Sequence, residues 1–583
     1  MKHIVANLVS EALAAQPDLA EAAAVLSIET TVERTRDASH GDFASNIALR
    51  LAKPARKSPR DIATLIVDAL SDNEQIQKVE IAGPGFINFH LSPQSFHNEL
   101  KVILEAGTTY GHLDKKDSPK ILLEFISANP TGPLHVGHGR HAAYGASVGN
   151  LLEAAGYPVH REYYVNDAGR QMDILGASVW LRWLASNDVS VPFPEAGYRG
   201  DYIRDIATSI DTNGISLPSV DDVLQGLPAQ DEKESFEPYV EALIAKAKAL
   251  HGEEGFDNIR QQALDSILAD IKDDLAEFGV AFDQWYSEQS LTKTGRIDDA
   301  LKVLEERGFL YKKDGATWFP ATDFGDEKDR VVVRANGVKT YFASDIAYHF
   351  DKRERGYDHL IDILGADHHG YTARVRAGLE AMGYEGSDLE VDLMQFVTLY
   401  RNGKKMQMST RSGEFDTLRQ LRAEVGNDAA RFYYVMRSHD QHLDFDLDVA
   451  TSQSNDNPVY YIQYAHARIT RIFQKANDSG IEWNRTNGDN NLSALVTPQE
   501  KALMTAMSRY PEIIELAAKN RAPQTVVHYL RDLVSDFHSS YSANKVLVDE
   551  ADLRDARLSL YAAVKIVVAN GLAILGVSAP DEM

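Results

Sequence analysis

The 583-residue chain contains no cysteine. Disulfides and a cysteine-ligated zinc site are therefore both excluded. Long apolar runs are also missing. The N-terminal stretch MKHIVANLVSEALAAQ has no sustained apolar region and reads as an amphipathic helix, not a signal peptide. The most apolar C-terminal run is cut by Lys565 and Asn570, so no membrane span is expected and a cytoplasmic location is. An excess of positive charge is the third absence: 60 Lys/Arg stand against 86 Asp/Glu, a net charge of −26. That balance gives no positive support for a nucleic-acid partner. It does not exclude one, because the acid load is local. Residues 201–300 hold 22 Asp/Glu and 8 Lys/Arg, whereas residues 451–583 hold 15 and 13. Charges are screened within ~8 Å at physiological salt, so a local basic face can still meet phosphate.

What is present is organised around Ile121 to Gly169. Residues 121–126 are an apolar, β-capable run around Glu124. Ser127 to Pro133 break regular structure, and His135-Val136-Gly137-His138 opens a small-residue amphipathic run to Leu152. Gly156 and Pro158 end that helix, and a second strand-like run covers 159–165. This is a βαβ unit with two histidines where loop becomes helix. Free N–H groups and the positive dipole end make that position attractive to phosphate. On HVGH alone, a metal pair or ordinary loop histidines fit as well.

The chain is too long for one core, and three domains are read from its pattern. Residues 1–112 form a small α/β domain, ending in a strand, a Gly-Pro-Gly turn and another strand, with a polar linker at 110–118. Residues 113–450 alternate strands and helices, which implies a doubly wound, Rossmann-like parallel sheet. An acidic, mostly helical insertion covers about 190–290, and such a segment is usually a solvated face. In the second half, 340–355 reads as a strand into a helix, and 394–415 as two strands joined at Asn402-Gly403. Residues 451–583 read as an all-α helical bundle.

The stretch SANPTGPLHVGHGR, followed by YYVNDAGRQ, resembles the first ATP signature of class I aminoacyl-tRNA synthetases and is most similar to the arginyl-tRNA synthetases. Tyr198 to Ile203 resembles a further signature of that family, and the first and last domains resemble its tRNA-corner and anticodon-binding domains. The resemblance implies ATP, with Mg²⁺ held mostly by phosphate and water and no protein-bound metal, as well as L-arginine and tRNA(Arg) as partners of a monomer. It assigns Asn129, Pro130, Thr131, Gly132, Pro133, Leu134, His135, Val136, Gly137 and His138 to the ATP site, with Gly137 letting the nucleotide approach the backbone. It also assigns Glu124, Asn129, Tyr341 and Asp345 to arginine, with Asn129 at the α-amino end. A guanidinium is best met by carboxylates, although a helix N-terminal acid is favourable at Asp345 for dipole reasons alone. Gly365, Asp367, His368 and His369 resemble an adenosine-side loop. Phe43, Tyr460, Gln463 and Tyr464 are candidate tRNA contacts, with core packing as the alternative.

The second class I signature departs from its usual form. Gln407-Met408-Ser409-Thr410-Arg411 stands where Lys-Met-Ser-Lys-Ser is usual, so both lysines are missing. Gly132 and Pro133 precede the first signature, so the substitute lysine found there in some relatives is missing too. Lys404, Lys405 and Arg411 are the candidate cations for the leaving pyrophosphate, with Arg411 preferred. HxGH also marks small-molecule nucleotidyltransferases, and a non-catalytic paralogue is a second alternative. The tRNA-like C-terminal bundle argues against the first, and the intact first signature against the second.

Overall fold

The computed structural model describes residues 1–25, 31–35, 37–115, 117–213, 215–230, 233–368, 370–406 and 417–583. At the N-terminus, four antiparallel strands lie in the order Val32–Arg34, Phe43–Ser45, Phe86–Leu91, Ile76–Ala82. Helices Lys2–Ala14, Ile47–Ala55 and Pro59–Asp68 contribute to a separate apolar core with that sheet. The helix Pro93–Ala106 leads out of this domain and packs on the C-terminal helical domain. Tyr110 is not part of a solvated linker. It is buried, stacks on Tyr510 and donates to Glu99 and to the Met507 carbonyl.

The central sheet is parallel throughout: β1 (Ile121–Phe125), β2 (Val159–Val165), β3 (Gln284–Ser287), β4 (His359–Gly365) and β5 (Leu389–Met394). Their order is β5-β4-β1-β2-β3. β1 is buried at all five positions, as a central parallel strand covered on both faces must be. The chain winds one way through β1, β2 and β3 and then the other way through β4 and β5. The winding reverses between β1 and β4, and the carboxyl ends of those two strands open a crevice of the kind that binds nucleotides. Around the sheet lie α1 (Val136–Ala154), α2 (Arg170–Ser186), α3 (Phe236–Glu277, bent at Gly252), α4 (Tyr341–Glu354) and α5 (Tyr371–Ala381).

Two sequence expectations change here. β3 lies inside the stretch read as insertion, so the insertion between β2 and β3 stops short of residue 284. Residues 340–355 are not a strand leading into a helix: Thr340 caps α4, its side chain accepting from the Ala343 N–H. The strands at Tyr311–Lys313, Ala316–Phe319 and Arg330–Val333 form their own antiparallel sheet beside α4. Val397–Arg401 pairs with Lys404–Lys405 across a turn in which Asn402 and Gly403 both have positive φ.

Beyond the sheet, α6 (Leu418–Val425) and α7 (Asn427–Val435) lead into the helical domain, whose main helices include α8 (Pro458–Asp478), α9 (Pro523–Ala543) and α10 (Ala551–Ile574). α10 is long and apolar enough to cross a membrane, but two-thirds of its most apolar stretch is buried. It is the core helix of the bundle, packed on α8, α9 and α1.

Candidate active site

The crevice begins with backbone bent against its preference. Ile126 and Ser127 have φ of 70° and 41° in succession. A β-branched residue in the left-handed region is strained, and the surrounding contacts must hold it there. Ser127 Oγ donates to Glu124 Oε1 at 2.8 Å and accepts the Tyr164 N–H at 3.1 Å. The loop that follows is pinned from several directions. Tyr163 Oη donates to the Ala128 carbonyl (3.0 Å), Asn166 Nδ2 to Asn129 Oδ1 (3.0 Å) and Tyr202 Oη to the Thr131 carbonyl (2.7 Å). A Cβ on Gly132 would lie 2.8 Å from Tyr202 Oη, so the glycine admits that tyrosine. The Leu418 N–H closes the loop on the Leu134 carbonyl at 2.8 Å.

His135 caps α1. Its Nδ1 accepts the His138 N–H at 3.3 Å, while His138 Nδ1 accepts the His135 N–H at 3.2 Å, and the two rings stack 3.5 Å apart. Each Nδ1 is thereby an acceptor, so each ring carries its proton on Nε2 and is a neutral donor there. Burial, with His135 and His141 adding to it, holds the His138 pKa well below 6.5. A Cβ on Gly137 would lie 2.8 Å from His135 Cε1, so this glycine makes room for the ring in the cap geometry.

The floor of the crevice is a buried ion network. Lys352, fully buried on α4, donates to Glu124 Oε2 at 2.7 Å and to Asp362 Oδ1 at 2.8 Å. His349 lies with one ring nitrogen 2.7 Å from Asp362 Oδ2 and the other 2.8 Å from the Asp345 carbonyl. Burial would lower the Lys352 pKa, but Asp362, Glu124 and Glu162 outweigh it and raise it. Burial likewise opposes the charge on Asp362, yet Lys352 and His349 pull its pKa down. Glu124 therefore meets its countercharge inside the chain, and its two oxygens are engaged by Lys352 and Ser127.

Above this floor lie two carboxyls without such partners. Asp345, half-buried one turn into α4, accepts no side-chain hydrogen bond from any described residue. Its pKa is pushed up to about 7, by burial first and by Glu124 and Asp362, against the pull of His349 and Arg374. Glu288 begins the short helix after β3, and its Oε2 is buried with no partner among the described residues. Its pKa also rises to about 7, from burial and then from Asp167 and Asp345. Both carboxyls are thus costly to ionise where they stand, and a cation brought to them would relieve that cost. Tyr341, 72% exposed, stands at the rim, with its hydroxyl 3.9 Å from where a Cβ on Gly169 would lie.

Sequence reasoning missed Glu288, Lys352 and Asp362. Only Asp362 carried a signal: an acid inside the apolar run HLIDILG must find a partner when buried. Of the remaining candidates, Gly365 ends β4, and Asp367 and His368 follow it, exposed, 3.7 Å from each other. His369, Met408, Ser409, Thr410 and Arg411 lie outside the described residues. Lys404 and Lys405 are exposed on their hairpin. Two proposed tRNA contacts are corrected. Phe43 is fully buried on the inner face of its sheet, under the Arg34 guanidinium, and cannot stack on a base. Phe86, 40% exposed, lines a cavity of about 480 Å³ with Asn46 and Asn88 instead. Gln463 is buried and donates to Asp428 and to the Ser578 carbonyl. Tyr460 and Tyr464 remain half-exposed and stack on each other with centroids 6.0 Å apart. Among the described residues no group of three or more His, Asp or Glu is arranged to hold a metal.

Comparison with known proteins covers the chain from end to end. Residues 2–91 match the family described as the arginyl-tRNA synthetase N-terminal domain, residues 99–442 the class I tRNA synthetase (R) catalytic domain, and residues 462–583 the DALR anticodon-binding domain. The arginine–tRNA ligase of Thioalkalivibrio sulfidiphilus is 55% identical over 560 residues, 96% of each chain. That of Legionella pneumophila is 50% identical over 587 residues, spanning the whole of both chains. Thermus thermophilus arginyl-tRNA synthetase shares the fold, with a TM-score of 0.73 at 24% identity over 98% of this chain and 99% of that one.

Proposed function

The chain belongs to the class I arginyl-tRNA synthetases, and on that premise we propose how its crevice serves the reaction. The enzyme activates L-arginine with ATP and transfers it to tRNA(Arg), with AMP and pyrophosphate as the other products. In the first step an oxygen of the arginine carboxylate attacks the α-phosphorus, and the bond to the bridging oxygen of pyrophosphate breaks. This chemistry needs positioning and hydrogen-bond donors rather than a protein nucleophile. His135 and His138 supply neutral Nε2–H donors beside the N-terminus of α1, where the helix dipole also favours phosphate. In the second step a terminal ribose hydroxyl of tRNA attacks the acyl carbon and AMP leaves.

Asp345 and Glu288 receive the guanidinium, Tyr341 closes over it, and Asn129 takes the α-amino group. The observation that carries this reading is the buried, unpartnered Oε2 of Glu288 beside Asp345, since a guanidinium supplies several donors and a charge to both. Glu124, tied to Lys352, fixes the floor of the pocket. Mg²⁺ enters with ATP, held by phosphate oxygens and water. Arg411 meets the leaving pyrophosphate, with Lys405 next in order. The half-exposed tyrosines of α8 and the Phe86 cavity contact tRNA, and the enzyme works as a cytoplasmic monomer. Aminoacylation of total tRNA with each of the twenty amino acids tests the reading: arginine alone should be charged, and charging of another amino acid in its place would refute it.

A further inference from the structure

A groove of about 420 Å³ lies where the catalytic half meets the helical domain, between the end of α7, the start of α8 and the first half of α9. Its basic side chains are the two arginines Arg437 and Arg531 and the imidazole of His528, all exposed. No carboxylate lines it, although acids outnumber bases 86 to 60 in this chain. Neither Arg437 nor Arg531 has an ion-pair partner among the described residues. The acid nearest to Arg437 along the chain, Asp440, is turned onto Ser438, which lowers its pKa, and Asp532, next to Arg531, does not line the groove. One further group in the groove lacks a partner: the Oε1 of Gln524 is buried and accepts no hydrogen bond from any described residue.

The two deficits describe one ligand. Arginines without counterions call for an anion, and the amide oxygen calls for a hydroxyl or N–H donor. A ribonucleotide backbone carries both, a phosphate and a 2′-hydroxyl, in adjacent positions. The groove also lies on a longer strip. Arg531 and His538 are seven residues apart on α9, about 10 Å along one face. His538 contacts Tyr461 and Tyr464, and Arg468 lies over the Tyr464 and Tyr541 rings. Cations followed by aromatic faces are the components of a surface that follows an RNA strand.

We infer that the groove lined by Arg437, Arg531 and Gln524 holds the sugar-phosphate backbone of bound tRNA. This rests on the reading that the helical domain receives tRNA. The floor of the groove is also tied to the catalytic site. The Ser438 and Gln441 carbonyls, in the turn that bears Arg437, accept hydrogen bonds of 2.8 Å from Arg140, which is fully buried on α1 one turn past His135. A strand seated on Arg437 is thereby held in fixed register with the helix that carries the phosphate-binding histidines.

The test is steady-state aminoacylation across a series of salt concentrations, for the wild type, Arg437→Ala/Arg531→Ala, Arg437→Lys/Arg531→Lys and a control, Lys302→Ala. Lys302 is an exposed cation far along the chain, paired with Glu306. The alanine pair should raise the KM for tRNA roughly tenfold and reduce the slope of log(1/KM) against log[salt] by about two, one for each phosphate that no longer meets an arginine. The KM values for arginine and ATP should not change, the lysine pair should recover most of the slope, and Lys302→Ala should match the wild type. An unchanged slope in the alanine pair, or a lysine pair as impaired as the alanine pair, would overturn the inference while leaving the tRNA reading intact. Failure of the wild type to charge tRNA at all would remove the reading itself and the groove's role with it.

Discussion

Replacing Lys352 with Met removes one positive charge from between two buried carboxylates and keeps the length of the side chain. Glu124 Oε2 and Asp362 Oδ1 lie 2.7 and 2.8 Å from Nζ, so the two oxygens are at most 5.5 Å apart. At that distance, and with an effective dielectric constant of about 20, two full charges repel by about 3 kcal/mol. Breaking a buried pair from one side typically costs about 3–5 kcal/mol, because the charge left behind has neither water nor partner. Both routes give about 3–5 kcal/mol of lost stability, a large share of an ordinary domain's margin. The pH dependence should also change sign. In the wild type, Asp362 titrates below its unfolded value, so its contribution is present above that value and lost as pH falls. In Lys352→Met one of the two carboxyls is better off protonated. The folded state then binds more protons than the unfolded chain, and acidification should stabilise the variant relative to its own neutral form. Urea unfolding at about pH 7.5 and at about pH 5.5 reads both effects. A loss under about 1 kcal/mol, or a pH trend parallel to the wild type, would refute the view that Lys352 holds the floor together.

Asp345→Asn and Glu288→Gln should each raise the KM for arginine by about 1.5–3 kcal/mol of lost binding while leaving the KM for ATP nearly unchanged, and equal effects on both substrates would show that neither acid is specific to arginine. In the free enzyme both carboxyls titrate at about 7, above their unfolded values, so they reduce stability increasingly as pH rises towards 7. Bound arginine should offset that loss, so the rise in Tm on adding arginine should grow with pH up to about 7 and then level off. His138→Ala should slow adenylate formation by about 2–4 kcal/mol of barrier with little loss of arginine affinity, measured by single-turnover activation with tRNA present. In the same assay Arg411→Ala should lose at least roughly 10²-fold in rate without weaker ATP binding, and a loss seen instead in Lys405→Ala would move the pyrophosphate contact to the hairpin.

The parts of this molecule that were legible in its sequence are those whose information is local. The strand, loop, helix and strand from Ile121 to Val165 show in composition and period, and the histidine pair lies inside one helical turn. The doubly wound order follows from alternating strands and helices. β3 escaped notice because Gln284–Ser287 is four residues of mixed polarity at a sheet edge, half-exposed at three of them. Phe43 and Phe86 were indistinguishable as aromatic residues on strands, because two-residue alternation separates the faces of a sheet without saying which one meets the core. The carboxyl site was not legible at all. Lys352 reaches Glu124 across 228 residues of chain, and Glu288, which follows β3, feels the charge of Asp345 on α4. No periodicity in one segment can report such a meeting.

The acid load of the insertion illustrates the same limit, since its charges were expected to be a solvated face. Part of α3 is such a face, but its C-terminal end is a brace. Arg419 on α6 reaches Asp270, Asp273 and Glu277 at 3.0–3.2 Å, and Arg422 reaches Glu277 at 2.7 Å and pairs closely with Asp274. These contacts differ in weight. Arg419 is more than a third exposed, and exposed pairs are worth about 0–1 kcal/mol each. Arg422 and Asp274 are both buried, and burial raises the Asp274 pKa even against the pull of Arg422. Removing Arg422 would strand a buried carboxyl, so the energy of the brace resides in that pair, and Arg419 chiefly adds orientation. What is braced is the start of α6, where the Leu418 N–H holds the Leu134 carbonyl and Thr417 bridges to His135. The most acidic segment of the chain thus bears, through two arginines, on the loop and helix cap that hold His135, and the acids at its C-terminal end are met by those arginines.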